Sequence, residues 1–178
     1  MLLYRDGDAG AFDALYARHK GGLYRYVIRQ CRDAGAAEEL FQDIWMNLIR
    51  ARSGYTVQAK FTTYLYRLAH NRLIDHYRKH GHVAVTSFED EDGDALEALP
   101  DERERPADDA LDAKRQAGRI LELIAELPEA QREAFLLQQE GGMSVEEIAQ
   151  ATGVTRETAK SRLRYAINRL RQGMREWR

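Results

Sequence analysis

Residues 144–166 read SVEEIAQATGVTRETAKSRLRYA, and this stretch decides the fold because it has the features of a helix-turn-helix. Ser144 and Glu147 match a capping box, in which each side chain bonds to the backbone N–H of the other residue where a helix begins. Gly153 can adopt the left-handed conformation that a tight turn requires. Thr155 is a suitable N-cap for a second helix, which is rich in basic residues.

The second helix of this motif carries side chains that suit a DNA groove. Arginine near its N-terminus can bond to guanine through two hydrogen bonds, and glutamate can accept one from cytosine. Basic residues farther along the helix can hold phosphates, which set the register of binding. The predicted DNA-binding residues are Arg156, Glu157, Thr158, Lys160, Ser161, Arg162 and Arg164. An ordinary helical hairpin with a solvated basic face is the alternative interpretation.

Hydrophobic residues recur with helical spacing through most of the chain, and strand-like alternation is nearly absent. Outside the helix-turn-helix, the pattern predicts three helices at about 9–30, 36–51 and 59–80, with breaks at 33–35 and 53–54. Three helices of this length can close a small bundle. Pro128 is placed in the first turn of the helix before the motif, where a backbone N–H lacks a partner in any case.

Charge is distributed unevenly, although the formal net charge is only −2. Residues 88–112 contain twelve acidic residues and two arginines, whereas residues 156–178 contain eight basic and two acidic residues. Residues 82–107 hold two prolines and few large apolar side chains, so they cannot bury enough surface to offset their conformational entropy. We therefore predict an all-α protein with two small helical domains, 1–81 and 108–178, joined by a flexible acidic linker at 82–107.

The predicted 59–80 helix has a polar face that suits unstacked bases. Steps of three or four residues place on it Lys60, Tyr64, Arg67, Asn71, Asp75 and Arg78. An aromatic ring can stack on a base, arginines can hold phosphates, and an amide can bond to a base edge. The alternative is a solvated helix face with one tyrosine lying across it.

A second polar cluster is predicted on the 36–51 helix. Glu39, Gln42 and Asp43 lie beside its apolar stripe. An acidic, amide-bearing patch in an otherwise basic domain can dock a basic protein partner. A plain amphipathic helix explains the same pattern equally well.

Several classes of function are disfavoured. No run approaches the roughly 18 apolar residues of a membrane span, and Cys31 is the only cysteine, so we expect a cytoplasmic protein without an internal disulfide. His76 and His80 have the spacing of metal ligands, but no carboxylate or cysteine completes a set. No nucleotide-binding glycine loop or catalytic triad pattern is present. We predict no metal, no cofactor, no small-molecule substrate and no enzymatic activity.

These pieces, in this order, resemble the extracytoplasmic-function sigma factors, which are small specificity subunits of bacterial RNA polymerase. The similarity to region 2 of that family lies in AFDALY (11–16), AEELFQD (37–43), FTTYL (61–65) and NRLID (71–75). The similarity to region 4 lies in LP (127–128), QRE (131–133), EIA (147–149), GV (153–154) and TAKSRL (158–163).

The resemblance implies a function and a set of partners. The helix with Glu39, Gln42 and Asp43 would bind the clamp helices of the largest polymerase subunit, and region 4 would contact the flap of the second-largest subunit. The 60–80 helix, where Arg72 joins the residues named above, would recognise and help to open the minus-ten element of promoter DNA. The helix-turn-helix would read the minus-thirty-five element. Family members are commonly held inactive by an anti-sigma factor, often a membrane-bound one.

A free-standing helix-turn-helix repressor or activator with an N-terminal sensor domain is the chief alternative, although a sensor needs neither polar cluster. An enzyme is a more distant alternative, since no acid, base and metal constellation is present.

Two promoter elements about 20 base pairs apart lie roughly 70 Å apart on B-DNA. A linker of about 26 residues extends to at most about 90 Å. It can span that distance, and polymerase is expected to hold the domains apart.

Overall fold

The computed structural model describes residues 1–80 and 110–177, with the backbone alone for 110–112. Within these ranges every regular element is helical, which confirms the all-α prediction. The predicted linker at 82–107 lies outside the described residues. The elements are α1 (Leu2–Arg5), α2 (Ala9–Cys31), α3 (Ala34–Arg50), a 3₁₀ turn (Arg52–Gly54), α4 (Phe61–Lys79), α5 (Ala110–Glu126), α6 (Glu129–Gly141), α7 (Val145–Thr152) and α8 (Arg156–Glu176).

Aspartate caps define the starts of α2 and α3. The side chain of Asp8 accepts a hydrogen bond from the backbone N–H of Ala11, and Asp33 does the same for Ala36. Each bond satisfies one of the donors that a helix start leaves unpaired. The break between the helices falls at Arg32, which has a φ of 59°, so the predicted break at 33–35 is placed slightly too late.

The N-terminal unit, residues 1–80, packs α2, α3 and α4 around a core of aliphatic side chains. Leu23, Val27, Ile44, Leu48 and Leu65 are fully buried. Burial of one such side chain contributes about 1.5–3 kcal/mol, so these five side chains make a large contribution to the stability of this unit. An aromatic cluster of Phe12, Tyr16, Phe41 and Trp45 covers one end of the core, with ring centroids 5.0–6.4 Å apart.

The C-terminal unit, residues 110–177, contains the predicted helix-turn-helix in α7 and α8. Both halves of the capping box are present: the backbone N–H of Ser144 donates to Glu147 at 2.8 Å, and that of Glu147 donates to the Ser144 hydroxyl at 3.3 Å. Gly153 has a φ of +70°, a left-handed conformation that favours glycine. Pro128 is the N-cap of α6 and precedes its first turn, because its ψ of 144° is extended.

The two units pack against each other, a contact that the sequence patterns did not predict. Helix α6 lies against α2 and α4, and α7 lies against α4. Buried side chains of both units form one continuous cluster. Gly22 marks a close approach of α2 to the end of α6, since a Cβ atom placed there would lie 2.8 Å from the carbonyl oxygen of Glu140.

Candidate nucleic-acid interface

The polar face predicted on α4 is present and largely open to solvent. Lys60, Arg67, Asn71 and Arg78 are exposed, and Tyr64 is half-buried. The apolar residues of the helix, including Leu65 and Leu73, point into the core, so the polar side chains are directed outwards. The sequence therefore placed this face correctly.

A cavity of about 680 Å³ lies at the N-terminal end of this face. Its lining includes Arg50, Ser53, Thr56, Gln58, Tyr64 and Arg67. The ring of Tyr64 meets that of Tyr55 edge to face, with centroids 5.0 Å apart, which fixes its orientation at the cavity wall.

Sequence reasoning missed the larger part of this cavity wall, which comes from residues 50–59. That segment joins α3 to α4 and has no helical periodicity, so no pattern assigns its side chains to a face. The only available signal was the turn at Ser53 and Gly54.

The predicted docking patch on α3 is also exposed. Glu39, Gln42 and Asp43 all face solvent, and the exposed side chain of Met46 lies one turn farther along. Asp43 forms an ion pair with Arg72 of α4. The pair connects the docking patch to the polar face of α4, and it engages Arg72 with another protein side chain.

The second helix of the helix-turn-helix, α8, presents most of its predicted residues to solvent. Arg156 pairs with Glu146 of α7 and, at 3.1 Å, with Glu157. The nitrogen of Lys160 lies 4.0 Å from the Glu157 carboxylate. The guanidinium of Arg164 lies over the ring of Tyr165, and Thr158, Ser161 and Arg162 are half-buried.

A polar network that the sequence did not reveal joins the two units. The buried guanidinium of Arg132 donates to the side-chain oxygen of Gln30 at 2.8 Å and to the carbonyl oxygen of Leu127 at 3.0 Å. The neighbouring Glu133 carboxylate accepts from the Tyr26 hydroxyl at 2.7 Å and lies 2.7 Å from Nδ1 of His70. Their pairing satisfies polar groups that would otherwise be costly to bury.

This network changes the titration of its members. Burial alone lowers the pKa of His70, but the hydrogen bond and charge of Glu133 outweigh burial and raise it above 6.5. The nearby Arg162 opposes the rise, and Glu129 adds to it. Burial raises the pKa of the Tyr26 hydroxyl, as does the Glu133 charge, so the phenol stays protonated as a hydrogen-bond donor.

Three further ion pairs, formed by two glutamates, lie at the margin of the contact. Glu140 of α6 pairs with Arg25, at 2.7 Å, and with Arg29 of α2. The Glu147 carboxylate lies 3.0 Å from the nitrogen of Lys60. Two hydrogen bonds, first from the Ser144 backbone and then from Lys60, lower the pKa of Glu147, so it stays ionised.

Among residues 1–80 and 110–177, no group of three or more histidine, cysteine, aspartate or glutamate side chains is arranged to hold a metal ion. No helix of the described chain is long and apolar enough to cross a bilayer.

Comparison with known proteins matches both units to one family. The model of sigma-70 region 2 matches residues 15–83, and that of sigma-70 region 4 matches residues 117–170. The chain is 28% identical to the RNA polymerase sigma factor CarQ of Myxococcus xanthus, over 97% of this chain and 94% of that protein. It is 31% identical to the ECF RNA polymerase sigma factor SigK of Mycobacterium sp. (strain KMS), over 92% and 83%.

The chain belongs to the extracytoplasmic-function (ECF) sigma factors. The family assignment confirms the resemblance read from the sequence, and it makes the protein a regulatory subunit that confers promoter-specific initiation on RNA polymerase. It also removes the free-standing repressor or activator as an alternative.

The solved structure of the sigma factor RpoE in complex with the anti-sigma factor NepR, from Bartonella quintana, has the same fold, with a TM-score of 0.68 and 23% identity. That match covers 93% of this sigma factor and 97% of the solved chain.

The titration of His70 predicts a pH dependence of stability. Because the pKa of His70 is higher in the folded protein than in the unfolded chain, its contribution is fully present below pH 6.5 and is lost as the pH rises through the raised pKa. The difference in free energy of unfolding between the wild type and His70→Gln should therefore shrink as the pH is raised from about 6 to about 8.5. Urea denaturation of both proteins at each pH measures this difference in free energy of unfolding. A difference that grows with pH would contradict a raised pKa for His70.

Proposed function

We propose that this sigma factor reads the minus-ten element with α4 and the cavity beside it, reads the minus-thirty-five element with α8, and docks on polymerase through α3. The corresponding domains are 1–81 and 108–178, with 82–107 as the linker. The single observation that carries the proposal is the cavity at Tyr64 and Arg67, which opens on a basic helix face. Its volume falls within the range of about 300–1,000 Å³ that is usual for small-ligand pockets.

The lining of the cavity suits one unstacked base. Tyr64 supplies an aromatic surface, and Ser53, Thr56 and Gln58 supply hydrogen-bonding groups for a base edge. Arg50 and Arg67 supply positive charge for the adjacent phosphates. Capture of a base that has left the duplex stabilises the opened strand, because the base exchanges its stacking partner for a protein ring.

The positions of the polar residues along α8 support two separate roles, contact with bases in the first turn and contact with phosphates farther along. Arg156 and Glu157 lie in its exposed first turn, from which side chains reach base edges in the major groove. Lys160 and Arg164 lie one and two turns farther along, where they suit phosphates on the flank of the groove. Thr158, Ser161 and Arg162 complete the predicted DNA-binding set.

Two surfaces suit polymerase. The patch of Glu39, Gln42 and Asp43 combines negative charge with the exposed Met46, which fits a basic, partly apolar helix pair such as the clamp helices of the largest subunit. On the C-terminal unit, α5, α6 and α8 line an apolar groove of about 460 Å³. The groove suits the flap of the second-largest subunit, and the residues that form it include Ile120, Phe135, Ile167, Leu170, Met174 and Trp177.

The sigma factor itself catalyses no reaction in this proposal and acts in the cytoplasm with promoter DNA and core polymerase. An anti-sigma factor is proposed as a further partner. Two solved structures with the same fold support this proposal. One contains RpoE bound to the anti-sigma factor NepR, and the other contains CnrH bound to the cytosolic domain of CnrY.

The cavity is tested by Tyr64→Ala and Tyr64→Phe. Loss of a stacking ring costs about 1–3 kcal/mol per base, so the alanine variant in holoenzyme should bind the opened promoter roughly 5- to 150-fold more weakly. The phenylalanine variant keeps the ring and should remain near the wild type. Permanganate footprinting of the opened strand and run-off transcription with core polymerase measure the effect. Equal activity of the two variants would contradict base stacking on Tyr64.

The docking patch is tested by Glu39→Ala combined with Asp43→Ala. Association with core polymerase should weaken, because the patch loses two exposed charges, while α7 and α8 remain folded. The single variants separate the effects, since Asp43→Ala also releases Arg72, whereas Glu39→Ala does not. Glu38→Ala is a matched control on the same helix. Unchanged association of the double variant in a pull-down with core polymerase would contradict the docking role.

The roles along α8 are tested by comparing Arg156→Ala with Lys160→Ala. Loss of a base contact should change which upstream elements are used, at about 1–3 kcal/mol for the affected base pair. Loss of a phosphate contact should weaken all promoters by a similar factor and reduce the salt dependence of binding. Run-off transcription across a library of upstream elements measures both. If both variants lost activity in the same pattern across the library, the separate roles of Arg156 in base contact and Lys160 in phosphate contact would be contradicted.

A further inference from the structure

The wall of the base cavity depends on a segment with little regular structure of its own. Between α3 and α4, residues 51–60 form one 3₁₀ turn, and Tyr55 is the only one of these residues that is buried. The same segment supplies Ser53, Thr56 and Gln58 to the cavity. A segment with few buried contacts opens easily unless other contacts hold it. The contacts of Tyr55 and its neighbours therefore decide the shape of the cavity.

Helix α1 packs against this segment. The guanidinium of Arg5 donates a hydrogen bond to the backbone carbonyl oxygen of Tyr55 at 3.3 Å. The guanidinium of Arg52 lies over the ring of Tyr4, 5.1 Å from its centroid, within the roughly 6 Å at which a cation and an aromatic ring attract each other. Two neighbouring residues of α1 therefore hold the segment, one at the start of its 3₁₀ turn and the other just after the end.

Helix α1 is itself fixed to the core of the N-terminal unit. Tyr4 is buried, and its ring centroid lies 5.1 Å from that of Phe12, which belongs to the aromatic cluster. Gly7 has a φ of +110°, a conformation that favours glycine and allows the sharp turn between α1 and α2. The backbone N–H of Asp8 donates to the carbonyl oxygen of Leu3 at 2.9 Å across this turn. Helix α1 therefore connects the core to the cavity segment.

The contacts continue from Tyr55 to the proposed base site. The ring of Tyr55 meets that of Tyr64 edge to face, with centroids 5.0 Å apart, and both residues line the cavity. A base stacks on the face of a ring, so a shift of Tyr55 changes how much of the Tyr64 face is available to a base. Arg5 is not part of the cavity lining, and it reaches the base site through these two successive contacts.

We infer that Tyr4 and Arg5 are positioning residues for the minus-ten base site. They hold Tyr55, and Tyr55 holds Tyr64 in the orientation that stacks on the captured base. Without them the cavity wall is mobile, and part of the binding free energy is lost to ordering it when the base enters. The positioning role rests on the proposed function of the cavity, whereas the bracing of the segment by α1 does not.

Arg5→Ala and Asp6→Asn are a matched pair of variants. The guanidinium of Arg5 also forms an ion pair with Asp6 at 2.8 Å. Arg5→Ala removes both this ion pair and the bond to Tyr55, whereas Asp6→Asn removes the ion pair alone. A difference between the two variants therefore reports the bond to Tyr55. A second pair is Tyr4→Phe, which keeps the ring that contacts Arg52, and Tyr4→Leu, which keeps only an apolar side chain.

Bracing is measured in the full chain, without polymerase or DNA, by amide hydrogen exchange. The amides of Gly54 and Tyr55, which take part in the 3₁₀ turn, should exchange about 2- to 10-fold faster in Arg5→Ala than in Asp6→Asn, the range that one hydrogen bond contributes. Exchange in α4 should be unchanged. Tyr4→Leu should speed the same amides, and Tyr4→Phe should not. Equal rates within either pair, or equal acceleration throughout α4, would overturn bracing.

Positioning is measured by the affinity of the holoenzyme for a promoter that is already melted over the minus-ten element. Arg5→Ala should bind about 2- to 10-fold more weakly than Asp6→Asn, and no more weakly than Tyr64→Ala. Added to Tyr64→Ala, it should cause no further loss, because the ring that it positions is absent. A fully additive loss would overturn positioning, since Arg5 would then act by another route, such as overall stability.

Abasic sites in the melted promoter locate the effect. An abasic site placed at each position in turn identifies the captured base as the one whose removal abolishes the effect of Tyr64→Ala. Arg5→Ala should lose its effect at that same position and at no other, and an effect that persists there would overturn positioning. If Tyr64→Ala causes no loss on the intact promoter, the proposed base capture fails and the positioning role fails with it, whereas amide exchange reports bracing separately.

Discussion

The buried carboxylate of Glu133 is the interaction on which the arrangement of the two units depends. It reaches across from α6 to α2 and α4, accepts from Tyr26 and lies beside His70, in a position that is nearly closed to solvent. Removing a charge from water costs several kcal/mol, and only well-placed partners offset that cost. Other arrangements of the two units are therefore disfavoured, because they would leave this buried charge unpaired.

This chemistry distinguishes the contact between the units from the core within each of them. Leu23, Ile44 and Leu65 have no favourable alternative to burial, so the N-terminal bundle keeps its core when the units part. The bond of Arg132 to Gln30 and those of Glu133 to Tyr26 and His70 can instead be exchanged for bonds with water. The carboxylates of Glu140 and Glu147 are largely buried, and their cationic partners are more open to solvent. The contact also includes apolar side chains of both units that belong to one buried cluster, so opening it would expose apolar surface in addition to exchanging these polar bonds.

The sequence predicted the features that depend on local chemistry. Capping at Ser144, the left-handed turn at Gly153 and the outward face of α4 follow from side-chain spacing alone, and all three appear in the structure. The polar network was not predictable in this way, because Gln30, His70 and Glu133 are far apart in the chain and each resembles a surface residue when taken alone. The wall of the cavity from residues 50–59 was missed because an irregular segment has no periodicity from which a face can be assigned.

Glu147 shows how one side chain can connect folding with recognition. Its bond to the Ser144 backbone starts α7, and this bond contributes most to lowering its pKa, so the carboxylate stays charged whether or not Lys60 is nearby. The capping box therefore holds a fixed negative charge at the start of α7, beside Lys60 at the start of α4. In the proposed minus-ten interface, a DNA phosphate at Lys60 would have to displace this carboxylate, which is largely buried and already paired with the lysine.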